Sequence, residues 1–310
     1  MKTIGITGGA GFIGRHLTDL LISKGYDIII FTRNPTGKNE KKHIAYAHWD
    51  ADKKICNTAS LGKINAMVHL AGEGIADKRW TDKRKAGIVK SRVEGTRFLL
   101  EQLKEHAPHC KTMVAASATG FYGPDRPGII PFKETNPAYT DFLADTCRQW
   151  EAESEKAAGF LRTVILRFGI VLGKDGGAFK EFERPMSFGV VPILGGGRQV
   201  VSWIEVGDLS CLILFALENE QVQGIYNAVA PNPVTHKELM KTIAAVKGGI
   251  KIPIPVPSLI LRIMLGKMSE EVLKSCTASA EKTLASGFGF QYPEITGAVN
   301  DILKEDKHGL

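Results

Sequence analysis

At 310 residues, 44% apolar and 24% charged, the chain has an ordinary globular composition and enough material for one large domain or two. Its longest apolar run, Cys211 to Leu217, falls well short of the roughly 18 residues of a spanning helix, and no cationic stretch followed by an apolar one opens the sequence. Neither a membrane partner nor secretion is expected. Five widely spaced cysteines without a C-x-x-C pattern point to free thiols in a reducing cytoplasm, with no metal. The net charge of +7 is partly local, since Lys78, Arg79, Lys83, Arg84, Lys85, Lys90 and Arg92 crowd one stretch. That stretch reads as a solvated helix face, with one or two cations reaching a ligand phosphate, and the lack of interleaved aromatics argues against nucleic acid.

Lys2 to Thr7 is a strand candidate, and Phe12, Ile13, Leu17, Leu20 and Leu21 recur at helical spacing behind it. Between them Gly9, Gly11 and Gly14 satisfy G-x-G-x-x-G, while Gly8, Gly11 and Gly14 satisfy G-x-x-G-x-x-G. A strand, a glycine turn and a helix in that order form a dinucleotide grip. The first glycine allows a positive φ, the second admits a pyrophosphate to the backbone, and the third lets helix pack on strand. The phosphates then meet unpaired N–H groups at the positive end of the helix dipole, including those of Phe12 and Ile13.

Asp27 to Thr32 is the second strand, and its end carries Thr32 and Arg33 where a carboxylate would hold a ribose 2′-hydroxyl. A guanidinium there suits a 2′-phosphate, which predicts NADP(H) as the cofactor. A short strand near Ile44 to Ala47 precedes Asn65 to Gly72, a fourth parallel strand whose Leu70, Ala71 and Gly72 should line the crevice. His69, inside its apolar run, reads as a satisfied sheet histidine. A long helix over Trp80 to Leu103 leads to a fifth strand, Lys111 to Ser117, and to the hydroxyl-rich Ser117 to Gly123. A helix over Asp141 to Ala158 precedes a sixth strand, Arg162 to Leu172, with Phe168 counted among the cofactor-facing residues. Strands alternating with helices predict a doubly wound parallel α/β sheet of the Rossmann type over residues 1–172, open to later strands. Residues 173–310 should form a smaller, mostly helical substrate lobe. In it, Gly195 to Arg198 reads as a tight connection or a phosphate loop, Asp208 as opening a helix to Leu217, and Thr235 as a cap. Gly224 to Ala230 should be a short strand, and the proline-rich Lys251 to Pro257 is barred from a central one.

With these marks in place the chain resembles the extended short-chain dehydrogenase/reductase superfamily of nucleotide-sugar epimerases and dehydratases. The likeness rests on the glycine turn, His69-Leu-Ala-Gly72, Arg92 to Thr96, Ser117 to Gly123 and Trp203 to Asp208. Thr32-Arg33, Trp150-Glu151, Gly195 to Gly197 and Gly287 to Pro293 resemble its atypical branch of epimerase-family proteins, which implies NADP(H) and an additional C-terminal helical segment. The superfamily's Tyr-x-x-x-Lys base is missing, because no tyrosine here is followed four residues on by lysine. If Glu151 aligns with the superfamily glutamate, Leu143 and Cys147 occupy those two positions. Arg92 stands for the superfamily asparagine and puts a charge near the cofactor. Ser117, Thr119 and Tyr122 are therefore the candidate acid/base groups. The expected activity is an NADP(H)-dependent oxidoreductase or epimerase on a small carbonyl or hydroxyl substrate, with a homodimer allowed. The other reading is an inactive NADP(H)-binding sensor or interaction protein.

Overall fold

The computed structural model describes residues 2–36 and 42–304. The first half alternates as the apolar runs require, with strands β1 (Thr3–Thr7), β2 (Asp27–Thr32), β3 (Ile44–Asp50), β4 (Ile55–Cys56), β5 (Ala66–His69), β6 (Thr112–Ala118) and β7 (Arg162–Phe168). Its helices are α1 (Phe12–Ser23), α2 (Thr58–Leu61), α3 (Asp82–His106) and α4 (Phe142–Glu155). The second half holds β8 (Ile170–Leu172), α5 (Gly177–Glu183), β9 (Val190–Leu194), β10 (Val200–Val201), β11 (Trp203–Glu205), α6 (Val206–Glu218) and β12 (Gly224–Ala228). It ends with β13 (Val234–Thr235), α7 (His236–Lys247), β14 (Ile252–Val256), α8 (Ser258–Leu265), α9 (Ser269–Leu273), α10 (Glu281–Ala285) and α11 (Ile295–Lys304).

Eight strands make the central sheet in the order β12-β7-β6-β5-β1-β2-β3-β4, parallel except for the pair β3 and β4. Strand order reverses between β1 and β5, so a crevice opens at their carboxyl ends, the place where such sheets bind ligands. β5 is buried along its whole length, which explains a continuous apolar run in place of alternation. One face of the sheet packs Leu17 and Leu21 of α1 against Leu209 and Ile213 of α6. The other packs Phe98, Leu99 and Leu103 of α3 against Met67 and Met113. A third core joins Trp203 and Val191 to α7 and α11 through Leu239, Ile243, Val299 and Ile302.

Several boundaries differ from the sequence reading. The expected strand from Arg162 to Leu172 is two strands, because the chain leaves the sheet at Gly169, where a Cβ would stand 2.6 Å from the Ser202 carbonyl oxygen. β8 then pairs with β11. The helix expected to open at Asp208 starts at Val206, with Glu205 accepting from the Asp208 N–H at 2.9 Å. Asp208 instead binds the Gln291 and Tyr292 N–H groups at 2.8 and 2.9 Å and fastens the Gly287 to Pro293 segment to α6. Thr235 caps α7 by accepting from the Glu238 N–H. Gly195 to Arg198 is a connection between β9 and β10, turned by positive φ at Gly195 and Gly197. The proline-rich stretch is β14, which pairs with β9 alone.

Candidate functional site

The glycine turn is closely packed, on itself and against the chain just past β5. Gly8 has φ +74°, and a Cβ on it would stand 2.8 Å from the Leu70 carbonyl, so β5 closes on the turn at van der Waals distance. Gly14 admits no side chain either, its nearest neighbours being Gly8 O and Gly9 Cα at 2.5 Å. Of the two frames open in the sequence, the structure favours the one that starts at Gly8, since Gly9 has no positive φ. Gly11 differs from its neighbours, for its missing Cβ would meet just the Gly8 oxygen at 3.2 Å. As the cap of α1 it supplies no side chain to the helix N–H groups, and the first turn contains no acid. The positive end of α1 is thus left for an anion from outside the chain.

The turn opens on a cleft of about 370 Å³. Gly8, Gly9, Gly11, Thr32, Arg33, Leu70, Ala71 and Gly72 all line it, together with Trp49, Asp50, Asp52 and Lys90, which were not singled out as site residues in the sequence. Asp52 receives the Lys90 ammonium at 2.9 Å. That bond, with further help from Arg33, holds its carboxyl below the usual range. Arg33 and Lys90 thus line the cleft beside four acids, Asp50, Asp52, Glu73 and Glu94. Asp50 is buried, with one carboxylate oxygen taking the N–H groups of Asp52 and Lys53. Asp50 closes β3 and Asp52 follows it, positions that gave no motif to read. The cleft fits a dinucleotide: it holds a glycine cradle at an uncapped helix terminus, with Arg33 and Lys90 in its lining.

The remaining expected cofactor residues lie outside that lining. Phe12 turns its ring into the 173–177 loop, where Cβ atoms on Gly173 and Gly176 would come within 2.6 and 2.8 Å of it, so its backbone alone belongs to the turn. Ile13 packs on the core beneath. Arg92 is buried, with its guanidinium 5.1 Å from the Trp150 ring centroid, a 3.2 Å bond to the Ile88 carbonyl, and its flat face against Gly72. Burial lowers its pKa. Phe168 closes β7 opposite Ala118.

Two of the three candidate hydroxyls after β6 enter a buried polar network. Ser117 Oγ donates to Glu151 Oε1 at 2.5 Å, and Arg167 grips the same carboxylate through Nε and Nη2 at 2.8 and 2.7 Å. Arg167 Nη1 also donates to the Tyr122 hydroxyl at 2.8 Å, which in turn donates to Asn227 Oδ1 at 2.7 Å. All five side chains are buried. Tyr122 stacks on Phe132, and burial pushes its phenol up to about 12. Ser117 and Tyr122 are thus committed to a network joining β6, α4, β7 and β12. Thr119 alone keeps its hydroxyl out of that network. On α4, Leu143 packs under Gly120, and burial pushes the Cys147 thiol up to about 12. His69 is fully buried between Thr7 and Thr96 hydroxyls at 2.6 and 3.0 Å.

One ionisable group near this edge gave no sequence signal. Lys274 lies 2.6 Å from Glu271 and 3.4 Å from Asp141, the cap of α4. Burial pulls its pKa down, but the two carboxylates outweigh it and leave it raised. Two residues on, the Cys276 thiol reaches the Thr119 carbonyl at 3.4 Å, which places this segment against the carboxyl edge of β6. Among the described residues no group of three or more His, Cys, Asp or Glu is placed to hold a metal ion.

Residues 4–228 match the NAD dependent epimerase/dehydratase family, and residues 256–302 match a domain of unknown function, DUF1731. The chain is 36% identical over 306 residues to the epimerase family protein YfhF of Bacillus subtilis, covering 98% of this chain and 99% of that protein. Its structure resembles that of the human epimerase family protein SDR39U1 (isoform 2) with NADPH, at TM-score 0.86 and 29% identity over 97% of this chain and 99% of the other. At 21% identity, the Thermus thermophilus UDP-glucose 4-epimerase complex with NAD shares the fold, at TM-score 0.81 over 99% and 100% of the two chains. With its glycine turn at the switch point of a doubly wound sheet, the chain belongs to the NAD dependent epimerase/dehydratase family.

Proposed function

We propose that the protein binds NADP(H) in the cleft and works as an oxidoreductase or epimerase on a small carbonyl or hydroxyl substrate, without a tyrosine and lysine base. The observation that carries this reading is the uncapped α1 terminus behind Gly11, beside a cleft whose lining includes Arg33 and Lys90. The similar human protein solved with NADPH supports the choice of cofactor. The α1 N–H groups would take the pyrophosphate, and Arg33 with Lys90 the 2′-phosphate. The nicotinamide supplies hydride chemistry when bound. The chain's share is to orient the cofactor, to exclude water behind the buried β6 and β7 edge, and to move a proton. Thr119 is the candidate left for that proton, since its hydroxyl stays outside the network that engages Ser117 and Tyr122.

The same burial favours a second reading, a cofactor-binding module without turnover. Melting temperatures with NADPH and NADH, followed by NADPH oxidation across a panel of small carbonyls, separate the two. Stabilisation by NADPH with turnover of at least one carbonyl supports the enzyme. Stabilisation without turnover across the panel favours the module, and no stabilisation by either cofactor overturns both.

A further inference from the structure

We infer that the segment from Lys247 to Met268 docks the protein on an anionic lipid surface. Six large apolar side chains there and beside it, Phe188, Ile250, Ile252, Leu259, Ile263 and Met264, are between 61% and 90% exposed. Such a concentration marks an interaction surface. Phe188 belongs to it because Gly189, next in the chain, lies against the Ile250 carbonyl and accepts the Ile252 N–H. On α8 just Leu261 is buried, so the helix turns nearly all of its apolar side chains outward.

Charge and backbone chemistry select the occupant. Residues 248–269 contain no Asp or Glu, whereas Lys251, Arg262 and Lys267 punctuate the apolar positions. Arg79 adds a fourth cation, with its guanidinium beside Gly266. Of the flanking acids, Glu183 is engaged by Lys247 and Glu271 by Lys274, which leaves Glu270 as the exposed acid at the edge of the segment. Apolar side chains set among cations suit an anionic headgroup layer, which each Lys or Arg near the surface strengthens. A second copy of this chain would bring the same positive ring face to face. Strand addition is also blocked: the Ile252 N–H points to β9, so Pro253 and Pro255 fall on the outer edge, where they have no donor to offer. No described helix is long and apolar enough to cross a membrane. The sequence expectation of no membrane partner rested on that absence, and a helix lying in the interface needs no spanning length.

The test uses the full chain pelleted with vesicles of phosphatidylglycerol and phosphatidylcholine, or of phosphatidylcholine alone. Wild type should bind the anionic vesicles at low salt and lose most binding at high salt or without the anionic lipid. Leu259→Asp with Ile263→Asp should weaken binding by about tenfold or more. Arg262→Glu with Lys267→Glu should weaken it by about fivefold per cation. Both pairs are exposed, so melting temperature should stay near wild type and exclude misfolding. Absence of binding to anionic vesicles, or binding unchanged by the aspartate pair, overturns the proposal. So does a concentration-dependent dimer that the aspartate pair dissociates in a protein that ignores vesicles.

Discussion

Arg167 and Glu151 form a forked ion pair at 2.8 and 2.7 Å, with both side chains buried where β6, α4 and β7 meet. Removing one partner of such a pair leaves a buried charge uncompensated and costs roughly 3 to 5 kcal/mol. Glu151→Gln should therefore lower the urea midpoint strongly. Ser117→Ala, which removes one donor while the pair stays intact, should cost roughly 1 to 3 kcal/mol. Equal, small effects would show that solvent reaches the pair and that the network does not hold the fold.

Gly11 and Gly8 should separate binding from folding. Gly11→Asp meets nothing closer than the Gly8 oxygen at 3.2 Å, so it should fold, but it puts a carboxylate on the open end of α1. NADPH at about 100 times its dissociation constant should stabilise wild type by roughly 2.7 kcal/mol and this variant not at all. Gly8→Ala forces a Cβ to 2.8 Å from the Leu70 backbone at a positive φ, so it should destabilise the protein even without ligand. A Gly11→Asp protein that still melts higher with NADPH would move the phosphate site elsewhere.

Cofactor selectivity should follow the two cations of the cleft, Arg33 just past β2 and Lys90 on α3. Arg33→Ala and Lys90→Ala should each weaken NADPH binding about tenfold or more and leave NADH little changed, since a charge-assisted bond contributes roughly 1.5 to 3 kcal/mol. Asp52→Asn releases Lys90 from its 2.9 Å ion pair and should tighten NADPH binding. Calorimetric titration of both cofactors measures all three. Selectivity unchanged by Arg33→Ala and Lys90→Ala would remove these residues from recognition.

The sheet and its glycine turn were legible because they obey local rules: an apolar run of strand length, a turn that demands glycine, and a helix at 3.6-residue spacing. Thr32 and Arg33 could be placed for the same reason, as the end of a recognised strand. The setting of the acid/base candidates was not legible, because Ser117 and Tyr122 look identical in sequence whether they face a substrate or a buried carboxylate. Their true partners, Glu151, Arg167 and Asn227, lie between 16 and 105 residues from a bonding neighbour. Asp208 was misplaced as a helix opener because its two backbone partners sit 83 and 84 residues downstream. Lys274 and Asp52 gained meaning from loops that the fold alone brings to an edge.

Glu205 should give the protein a falling stability between mildly acid and neutral pH. Its carboxylate caps α6 through the Asp208 N–H, but burial pushes its pKa from 4.5 up to about 7, with nearby Asp208 and Asp301 adding to the rise. The sign is opposite to that of an ion-paired acid. Because the folded state holds the proton more tightly than the unfolded chain, the contribution is full below pH 4.5 and is lost as pH climbs to about 7. A shift of that size corresponds to about 3 kcal/mol. Glu205→Gln keeps an oxygen for the cap and removes the titration. The variant should gain on wild type steadily through this window and hold a constant advantage above it, as read from urea unfolding at each pH. A stability difference that stays flat across the window would mean that water reaches Glu205 and that its carboxyl titrates as in the unfolded chain.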